Sequence, residues 1–452
     1  MKLRSIIPAC RRLLGATLLG SLFLSSTASA AAPDLRDAVK ARVDAEYSSL
    51  EKIYLNLHAH PELSFMEVKT AALVADEWRK LGFEVTEKVG NTGVVGVFKN
   101  GAGPTLLIRG DMDGLPMKEA TGVPYASTDV VKDLAGRDQP AMHACAHDSH
   151  VTNLIGTARI LIALQHKWSG TLVLVAQPAE EIVAGARAML TDGLFTRFPK
   201  PDFAVALHTS SQLPAGVIGY GEGPFLASVK SIDILVRGVG GHGSAPETTK
   251  DPVVLASEIV VALQTIVSRE LKPGTPAVVT VGTIHGGTKR NIISDEVKLE
   301  LTLRSYDDAV MDQMVAAIKR ICAGVAQAAG VPEKRLPVVS TADFAPATVN
   351  DVALTRRVAA TLTDWLGPTG AKLSPPIMGS EDFSEFGRTV QHVPICIWWV
   401  GATAPERFAE AERTGVPVPS NHSATFAPVP EPTLRAALTS MSAVALELLA
   451  KK

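Results

Sequence analysis

Four short apolar runs, each followed by residues with ionisable side chains, constrain the fold of this chain more than any other feature. The runs are Thr105–Arg109, Thr171–Ala176, Phe203–Leu207 and Ile395–Val400. The residues that follow them are Asp111 and Asp113, then Glu180 and Glu181, then His208, and finally a loop leading to His422. Short apolar runs that alternate with longer amphipathic stretches are typical of an α/β protein. Because ligands bind outside the carboxyl ends of strands in open α/β sheets, we expect these side chains to converge on one site.

The segment MHACAHDSH, Met142–His150, lies between the first two of these runs and is unusually rich in metal-binding side chains. Thiol, imidazole and carboxylate groups at this density indicate a metal site before any other chemistry. Two alternatives stay open for Cys145. It is either a buried structural cysteine or a thiol nucleophile activated by His147.

Length and charge restrict the classes of function. With 452 residues and 46% hydrophobic composition, the chain can bury a sizeable core in two or three domains. The 44 basic and 46 acidic residues give a formal net charge of −2, and no block of Lys or Arg interrupts the sequence. This balance does not favour binding to nucleic acid or to an acidic membrane surface, so a small-molecule substrate is expected.

The first thirty residues have the pattern of a secretory signal peptide. Basic residues precede an apolar run at positions 13–24, which leads to Ala28-Ser29-Ala30. The run is short for a membrane span, so we expect cleavage after Ala30 and a periplasmic or secreted protein that leaves the membrane. The Arg11-Arg12 pair points to the twin-arginine route, but its flanking residues match that signal poorly and the sequence favours a plain basic segment.

The remaining chain is predicted to form a catalytic domain with a second domain inserted into it. Residues 224–345 read as a compact strand-helix-strand-strand-helix-strand set with its own core. Residues 33–223 and 346–452 would form the catalytic domain. After cleavage three cysteines remain, Cys145, Cys322 and Cys396, and this odd, sparse set excludes a disulfide scaffold.

Seven motifs, in order, resemble those of the M20 metallopeptidase family. They are HAHPELSF (58–65), RGDMDGLPM (109–117), MHACAHDSH (142–150), QPAEE (177–181), GGHGSAP (240–246), MGSEDF (378–383) and NHSATF (421–426). The similarity covers nearly all of the mature chain and is strongest to the amidohydrolase subgroup, the hippurate hydrolase and indole-acetyl-amino-acid hydrolase type. Ala146, Ser149 and Ser380 stand where this branch usually has glycine. We expect these departures to affect substrate fit more than metal binding.

The resemblance implies a metallopeptidase-type catalytic domain with a central mixed sheet flanked by helices, and a smaller α+β lid or dimerisation domain. It also implies two divalent metal ions, held by Cys145, His147, Glu181, His208 and His422. Thiolate and imidazole ligands favour Zn²⁺, although Mn²⁺ or Co²⁺ can occupy such a site. Glu180 would be the general base, which takes a proton from water and delivers it to the leaving amine.

Four further roles come from the same resemblance. Asp113 would orient a metal-binding histidine, and His242 would reach a neighbouring active site across a homodimer to stabilise the oxyanion. Asn291 and Arg304 would contact the carboxylate of the substrate. For Arg304, a solvated arginine on an edge strand is an equally good interpretation of the sequence.

Other polar residues of the motifs have structural interpretations. Without the motif, His208 would be read as a buried core residue and His422 as a surface residue. His58, His60, Asp148 and His150 are expected to pack or cap beside the site, and Glu381 and Asp382 either support its loops or cap a helix.

The predicted activity is hydrolysis of the amide bond of an N-acyl amino acid. A dipeptidase or metallo-carboxypeptidase on the same scaffold is the main alternative, because the residues that would form an acyl pocket are scattered along the sequence. A catalytically silent binding protein would be expected to lack the base or a ligand, and here all of them are present.

Overall fold

The computed structural model describes residues 34–451. The predicted signal peptide, residues 1–30, lies outside this range. The helices are α1 (Leu35–Ala59), α2 (Val68–Lys80), α3 (His147–Ala163), α4 (Gly185–Thr191), α5 (Pro252–Leu263), α6 (Asp308–Ala328), α7 (Val352–Gly370), α8 (Ser384–Gly387), α9 (Pro405–Thr414) and α10 (Pro430–Leu448). Short helical turns occupy Gln165–Lys167, Pro246–Thr248, Ile266–Glu270 and Glu333–Arg335.

The strands, also in chain order, are β1 (Glu84–Val89), β2 (Gly93–Asn100), β3 (Thr105–Asp111), β4 (Val130–Lys132), β5 (Asp138–Pro140), β6 (Gly170–Gln177), β7 (Phe203–Pro214), β8 (Ile218–Tyr220), β9 (Gly223–Leu226), β10 (Ser228–Arg237), β11 (Gly241–His242), β12 (Ala277–Gly286), β13 (Ile292–Ile293), β14 (Glu296–Ser305), β15 (Val338–Ala345), β16 (Thr348–Asn350), β17 (Ala371–Leu373) and β18 (Ile395–Thr403).

An eight-stranded mixed sheet forms the centre of the larger part of the molecule, in the order β1-β2-β6-β3-β7-β18-β8-β17. The four apolar runs of the sequence are its neighbouring strands β6, β3, β7 and β18, which pair in parallel. Strands β2 and β8 pair antiparallel with this group. The predicted α/β fold with a central mixed sheet is confirmed, and the carboxyl ends of the four runs meet at one edge.

Both faces of the central sheet are covered, which explains why its strands are continuously apolar. Alternate residues of a strand point to opposite faces. Leu106 and Ile108 therefore belong to a core with helices α1, α2, α3 and α10, whereas Leu107 belongs to a second core with Met189 of α4 and Phe386 of α8. The carboxyl edge of the sheet is thus fixed by two hydrophobic layers.

A second, antiparallel sheet has the order β12-β14-β10-β15, and its elements follow the βαββαβ order expected from the sequence. Leu299, Leu301 and Leu303 of β14 are buried in one core with residues of α5 and α6. The stretch Pro252–Glu270 is long and apolar enough to cross a membrane by composition, but core helices pass the same test. Cys322 of α6 is buried in this core, Cys396 is buried in β18, and neither forms a disulfide.

Gly185 allows the chain after β6 to fold back on itself. Its amide donates a hydrogen bond to the carbonyl of Ala179 at 3.1 Å, and a Cβ at this position would lie 1.6 Å from the carbonyl oxygen of Pro178. No side chain can be accommodated without moving backbone. This close approach shapes the loop that carries Glu180 and Glu181.

We therefore expect Gly185→Ala to destabilise the protein by about 1–3 kcal/mol, because the loop must move to relieve the overlap. The matched control is Gly324→Ala in the middle of α6, where an added Cβ has no neighbour within 4 Å. That exposed helical position should gain about 0.5–1 kcal/mol from higher helix propensity. Thermal unfolding midpoints measure both effects, and an unchanged midpoint for Gly185→Ala would contradict the close approach.

Candidate metal centre

The predicted metal-binding side chains converge at the carboxyl edge of the parallel strands. The donor atoms of Cys145, His147 and His208 all lie within 4.8 Å of one another, and those of Cys145, Glu181 and His422 do so as well. The Sγ atom of Cys145 belongs to both groups. The two triads together bring five side chains that could hold divalent cations around this one sulfur atom.

Individual distances define a compact pocket around the sulfur atom. Cys145 Sγ lies 3.4 Å from Nε2 of His208 and 3.2 Å from Nε2 of His422. Nε2 of His422 is 3.3 Å from Oε2 of Glu181, and the other oxygen of Glu181 is 3.9 Å from Nε2 of His147. All of these groups are buried except His422, whose side chain is 54% exposed. The pocket is therefore open to solvent on the side of His422.

Backbone carbonyls fix the protonation of two histidines. Nδ1 of His147 lies 2.7 Å from the carbonyl oxygen of Asp113, and Nδ1 of His208 lies 2.8 Å from that of Thr209. A carbonyl oxygen only accepts hydrogen bonds, so each Nδ1 carries the proton and donates it. In its neutral form each ring then has the lone pair of Nε2 toward the pocket, which is the form that would bind a metal.

Two buried atoms of the pocket have no hydrogen-bond partner among residues 34–451, namely Nε2 of His147 and Oε1 of Glu181. Leaving such atoms unpaired costs free energy, and buried polar groups are almost always satisfied. A cation bound by the triads would satisfy both atoms. The donor set of thiol, imidazole and carboxylate therefore fits divalent metals such as Zn²⁺, Mn²⁺ or Co²⁺.

The protein alone does not favour the charged forms of Cys145 and Glu181. Burial, together with the charge of Glu181, raises the pKa of the Cys145 thiol well above its usual range. Burial also raises the pKa of Glu181 to about 8. A bound cation reverses this preference, because it stabilises the thiolate and the carboxylate directly.

Asp113 holds the two adjacent glutamates in place. Its carboxylate accepts hydrogen bonds from the backbone amides of Glu180 and Glu181, both at 3.0 Å, and from the hydroxyl of Ser64 at 2.6 Å. The predicted contact with a histidine is made to His147, whose Nδ1 lies 2.7 Å from the main-chain carbonyl oxygen of Asp113 and 3.4 Å from Oδ1 of its carboxylate. One residue thus positions both the glutamate loop and a histidine.

Glu180 lies beside the pocket and is buried. Its Oε2 atom is 3.9 Å from Nε2 of His147, and its carboxylate lies within 4.8 Å of those of Glu381 and Asp382. Burial raises the pKa of Glu180 well above its usual range, and the neighbouring negative charges of Glu381 and Glu181 raise it further. A raised pKa makes the carboxylate a stronger proton acceptor than an ordinary glutamate, as a general base requires.

Arg109 is the main site residue that the sequence did not reveal. It is fully buried and donates to Asp111 at 2.6 Å, to Glu381 at 2.7 Å and to Asp382 at 3.1 Å. Glu381 and Asp382 therefore support the site through this guanidinium, which was one of the two roles considered for them. The available signal was an arginine at the end of an otherwise apolar strand.

Two other buried histidines, His150 and His58, connect elements around the site by hydrogen bonds. Nε2 of His150 accepts a hydrogen bond from the backbone amide of Thr209 at 2.8 Å. Because Nε2 is the acceptor, the ring proton is on Nδ1, which donates to the carboxylate of Asp111 at 2.5 Å. His58 contacts Asp148 at 2.6 Å and Glu119 at 3.1 Å. Burial lowers the pKa of His58, but these two carboxylates outweigh it and raise the pKa to about 10. His58 is thus charged beneath the site, whereas His60 is exposed.

Three predicted residues lie outside the metal pocket. His242 and Asn291 are exposed and adjacent, because β11 and β13 pair His242 with Ile292 and the amide of Gly243 donates to the carbonyl of Asn291. Arg304 lies on β14, the inner strand between β12 and β10. The edge-strand interpretation of Arg304 is therefore wrong. Within residues 34–451, neither His242 nor Asn291 has a side-chain hydrogen bond to the pocket.

Residues 107–414 match the model of the Peptidase family M20/M25/M40. The chain belongs to this family. The M20 chain is 38% identical to a hippurate hydrolase of Campylobacter jejuni over 338 residues, which cover 74% of this chain and 84% of the relative. It is 35% identical to Thermostable carboxypeptidase 2 of Saccharolobus solfataricus, over 87% of this chain and 94% of the relative.

Solved structures give the same result for the fold. An aminohydrolase described as putative, from methicillin-resistant Staphylococcus aureus, superposes with a TM-score of 0.79 at 30% identity and covers 92% of this chain and 100% of its own. A dinuclear metal binding peptidase of the M20 family from Bacillus subtilis superposes with a TM-score of 0.72 at 27% identity, over 90% and 99% of the two chains. The M20 chain is a hydrolase that acts on amide bonds.

The contacts of Asp113 predict a large effect of a small change. Asp113→Asn turns an acceptor into a donor that faces backbone amides, so we expect a loss of about 1–3 kcal/mol of stability in chelator-treated protein. Asp202→Asn is the matched control, because Asp202 accepts one exposed backbone amide, that of Thr105, at 2.8 Å. The control should lose less than about 1 kcal/mol. Equal thermal midpoints for the two variants would contradict the anchoring role of Asp113.

Proposed function

We propose that this protein is a dinuclear metal-dependent amidohydrolase that cleaves N-acyl amino acids into a carboxylic acid and a free amino acid. The observation that carries the proposal is the pair of donor triads that share Cys145, with Glu180 directly beside them. The similarity to a hippurate hydrolase, and to an N-acetylcysteine deacetylase of Bacillus subtilis at 32% identity, supports this substrate class.

Cys145, His147, Glu181, His208 and His422 would hold the two cations. When bound, the cations supply Lewis acidity, which polarises the scissile carbonyl and acidifies water. Glu180 accepts the proton of the attacking water at its carboxylate and later delivers it to the leaving nitrogen. Asp113 keeps the Glu180 backbone fixed during both transfers, since its carboxylate binds the Glu180 amide.

Binding of the substrate would involve the second sheet. Arg304 and Asn291 are the proposed contacts for the free carboxylate of the substrate. His242 is exposed on the β11–β13 pair, where it is available to a second subunit. In a homodimer formed through residues 224–345, it would enter the partner's site and stabilise the oxyanion.

Export and metal identity complete the proposal. The basic, apolar and small-residue segments at positions 1–30 support cleavage after Ala30 and a periplasmic or secreted enzyme. Zn²⁺ is the proposed metal because a thiol and imidazoles dominate the ligands, and Mn²⁺ or Co²⁺ is the alternative where it is more available.

A carboxypeptidase or dipeptidase activity is the second candidate. It is favoured by the similarity to two thermostable carboxypeptidases of Saccharolobus solfataricus, both 35% identical to this chain. The two activities share the metals and the base, and they differ in whether the group on the nitrogen is an acyl chain or an amino acid.

A substrate panel tests the reaction and its class. Purified protein should release amino acids from N-acetyl, N-benzoyl or N-indoleacetyl amino acids, and a chelator should abolish the release. Glu180→Gln should lower kcat by about 10²–10⁴ because proton transfer is lost, whereas Glu406→Gln, an exposed residue of α9, should retain activity.

Other outcomes of the panel have definite meanings. Cleavage of dipeptides alone would select the peptidase alternative. Chelator-insensitive activity that Cys145→Ser abolishes, and that Glu180→Gln does not, would replace the metal mechanism with a thiol nucleophile.

Metal content tests the shared sulfur atom. We expect the wild type to retain two metal ions per chain after gel filtration, as measured by inductively coupled plasma mass spectrometry. His422→Ala should retain about one, because it removes a ligand of only one triad, and Cys145→Ala should retain fewer than one, because it removes a ligand of both. Cys322→Ala, in the core of the second sheet, is the control. Two tightly held ions in Cys145→Ala would exclude a bridging thiolate.

A further inference from the structure

Arg304 is a half-buried cation without an acidic partner. Burial lowers the pKa of its guanidinium, with no opposing effect from a neighbouring carboxylate. Among residues 34–451 it forms no ion pair. Its polar contacts are to the hydroxyl of Ser380 at 3.2 Å and the carbonyl of Met378 at 3.4 Å, both from Nη1. The guanidinium can therefore still bind an anion.

Ser380 belongs to a segment, residues 377–380, that is fixed to the main body of the molecule. The amide of Ala227 donates to the carbonyl of Gly379 at 2.8 Å and to that of Ile377 at 3.2 Å. Ala227 itself is fully buried where the chain passes from β9 into β10. The hydroxyl that contacts Arg304 is thus carried by a segment that two backbone hydrogen bonds fasten to Ala227.

The same segment continues directly into the catalytic pocket. Glu381 follows Ser380, is bound by Arg109 at 2.7 Å, and has its carboxylate within 4.8 Å of that of Glu180. Arg304 is therefore held by Ser380, the residue before Glu381, and Glu381 lies next to the proposed base Glu180. A glycine at position 380 would leave the guanidinium with only the weaker carbonyl contact.

We propose that Ser380 is a positioning residue that aims Arg304 at the carboxylate of the substrate and so selects acids over uncharged analogues. The inference rests on the proposed function and deepens it. The hydroxyl occupies Nη1, which limits rotation of the side chain. Nη2 and Nε then remain to grip a planar carboxylate through two parallel hydrogen bonds.

The test compares N-benzoylglycine with N-benzoylglycinamide, which differ only in the charge of the terminal group. For Ser380→Ala we expect KM for the acid to rise about fivefold, the size of one ordinary hydrogen bond, because the guanidinium is less well positioned. We expect kcat to be unchanged and KM for the amide to stay within about twofold. Ser380→Thr restores a hydroxyl and should restore the preference. Arg304→Gln shows the effect of losing the guanidinium completely on the preference for the acid. Ser257→Ala, which changes an exposed serine of α5, is the control and should keep the preference.

The outcomes separate the two proposals. A wild type that hydrolyses no acylated amino acid would remove the proposed function and this inference with it. An active wild type whose preference for the acid persists in Ser380→Ala would remove the inference alone. An equal loss of preference in Ser380→Ala and Ser380→Thr would also overturn it, because the hydroxyl would then have no role.

Discussion

The burial of many carboxylates around very little positive charge is the constraint on which the rest of the site depends. Asp111, Asp113, Glu180, Glu381 and Asp382 are all buried, and Arg109 is the one buried arginine among them. The pKa of Asp382 is raised to about 8, first by burial and also by Glu381, even though Arg109 opposes this. Such a cluster is stable only if it holds protons or binds cations. Metal binding and the stability of the carboxyl edge are therefore two consequences of one charge imbalance.

The parallel strands make this concentration of charge possible. Because β6, β3, β7 and β18 are adjacent and parallel, residues that follow them are brought together although they are far apart in sequence. The apolar layers on both faces hold the strand ends in register. Hydrogen bonds then fix the strand ends relative to one another. His150 links Asp111 of β3 to Thr209 of β7. Asp113, just after β3, binds the loop that follows β6.

The sequence predicted the strands and the convergence because both depend on local pattern and on the rule for parallel sheets. It did not predict Arg109, since a buried and a solvated arginine look alike in a single sequence until their neighbours in space are known. It also placed the histidine contact of Asp113 without distinguishing the main-chain oxygen from the carboxylate, which depends on the turn after β3. The pairing of His242 with Ile292, which places His242 next to Asn291, arises from a two-residue strand, Gly241–His242, too short to produce a periodic signal.

The two arginines near the pocket show how environment decides the role of a residue type. Arg109 has three carboxylate partners and no exposed surface, so its charge is fully used in holding Asp111, Glu381 and Asp382 together. Arg304 contacts Met378 and Ser380, just before Glu381 in the chain, with a carbonyl and a hydroxyl for partners and no carboxylate. Burying half of a guanidinium without a carboxylate partner costs free energy, because a hydroxyl and a carbonyl offset the lost hydration only weakly. The asymmetry makes Arg109 part of the framework and leaves Arg304 with free donors, as the proposed contact with the substrate carboxylate requires.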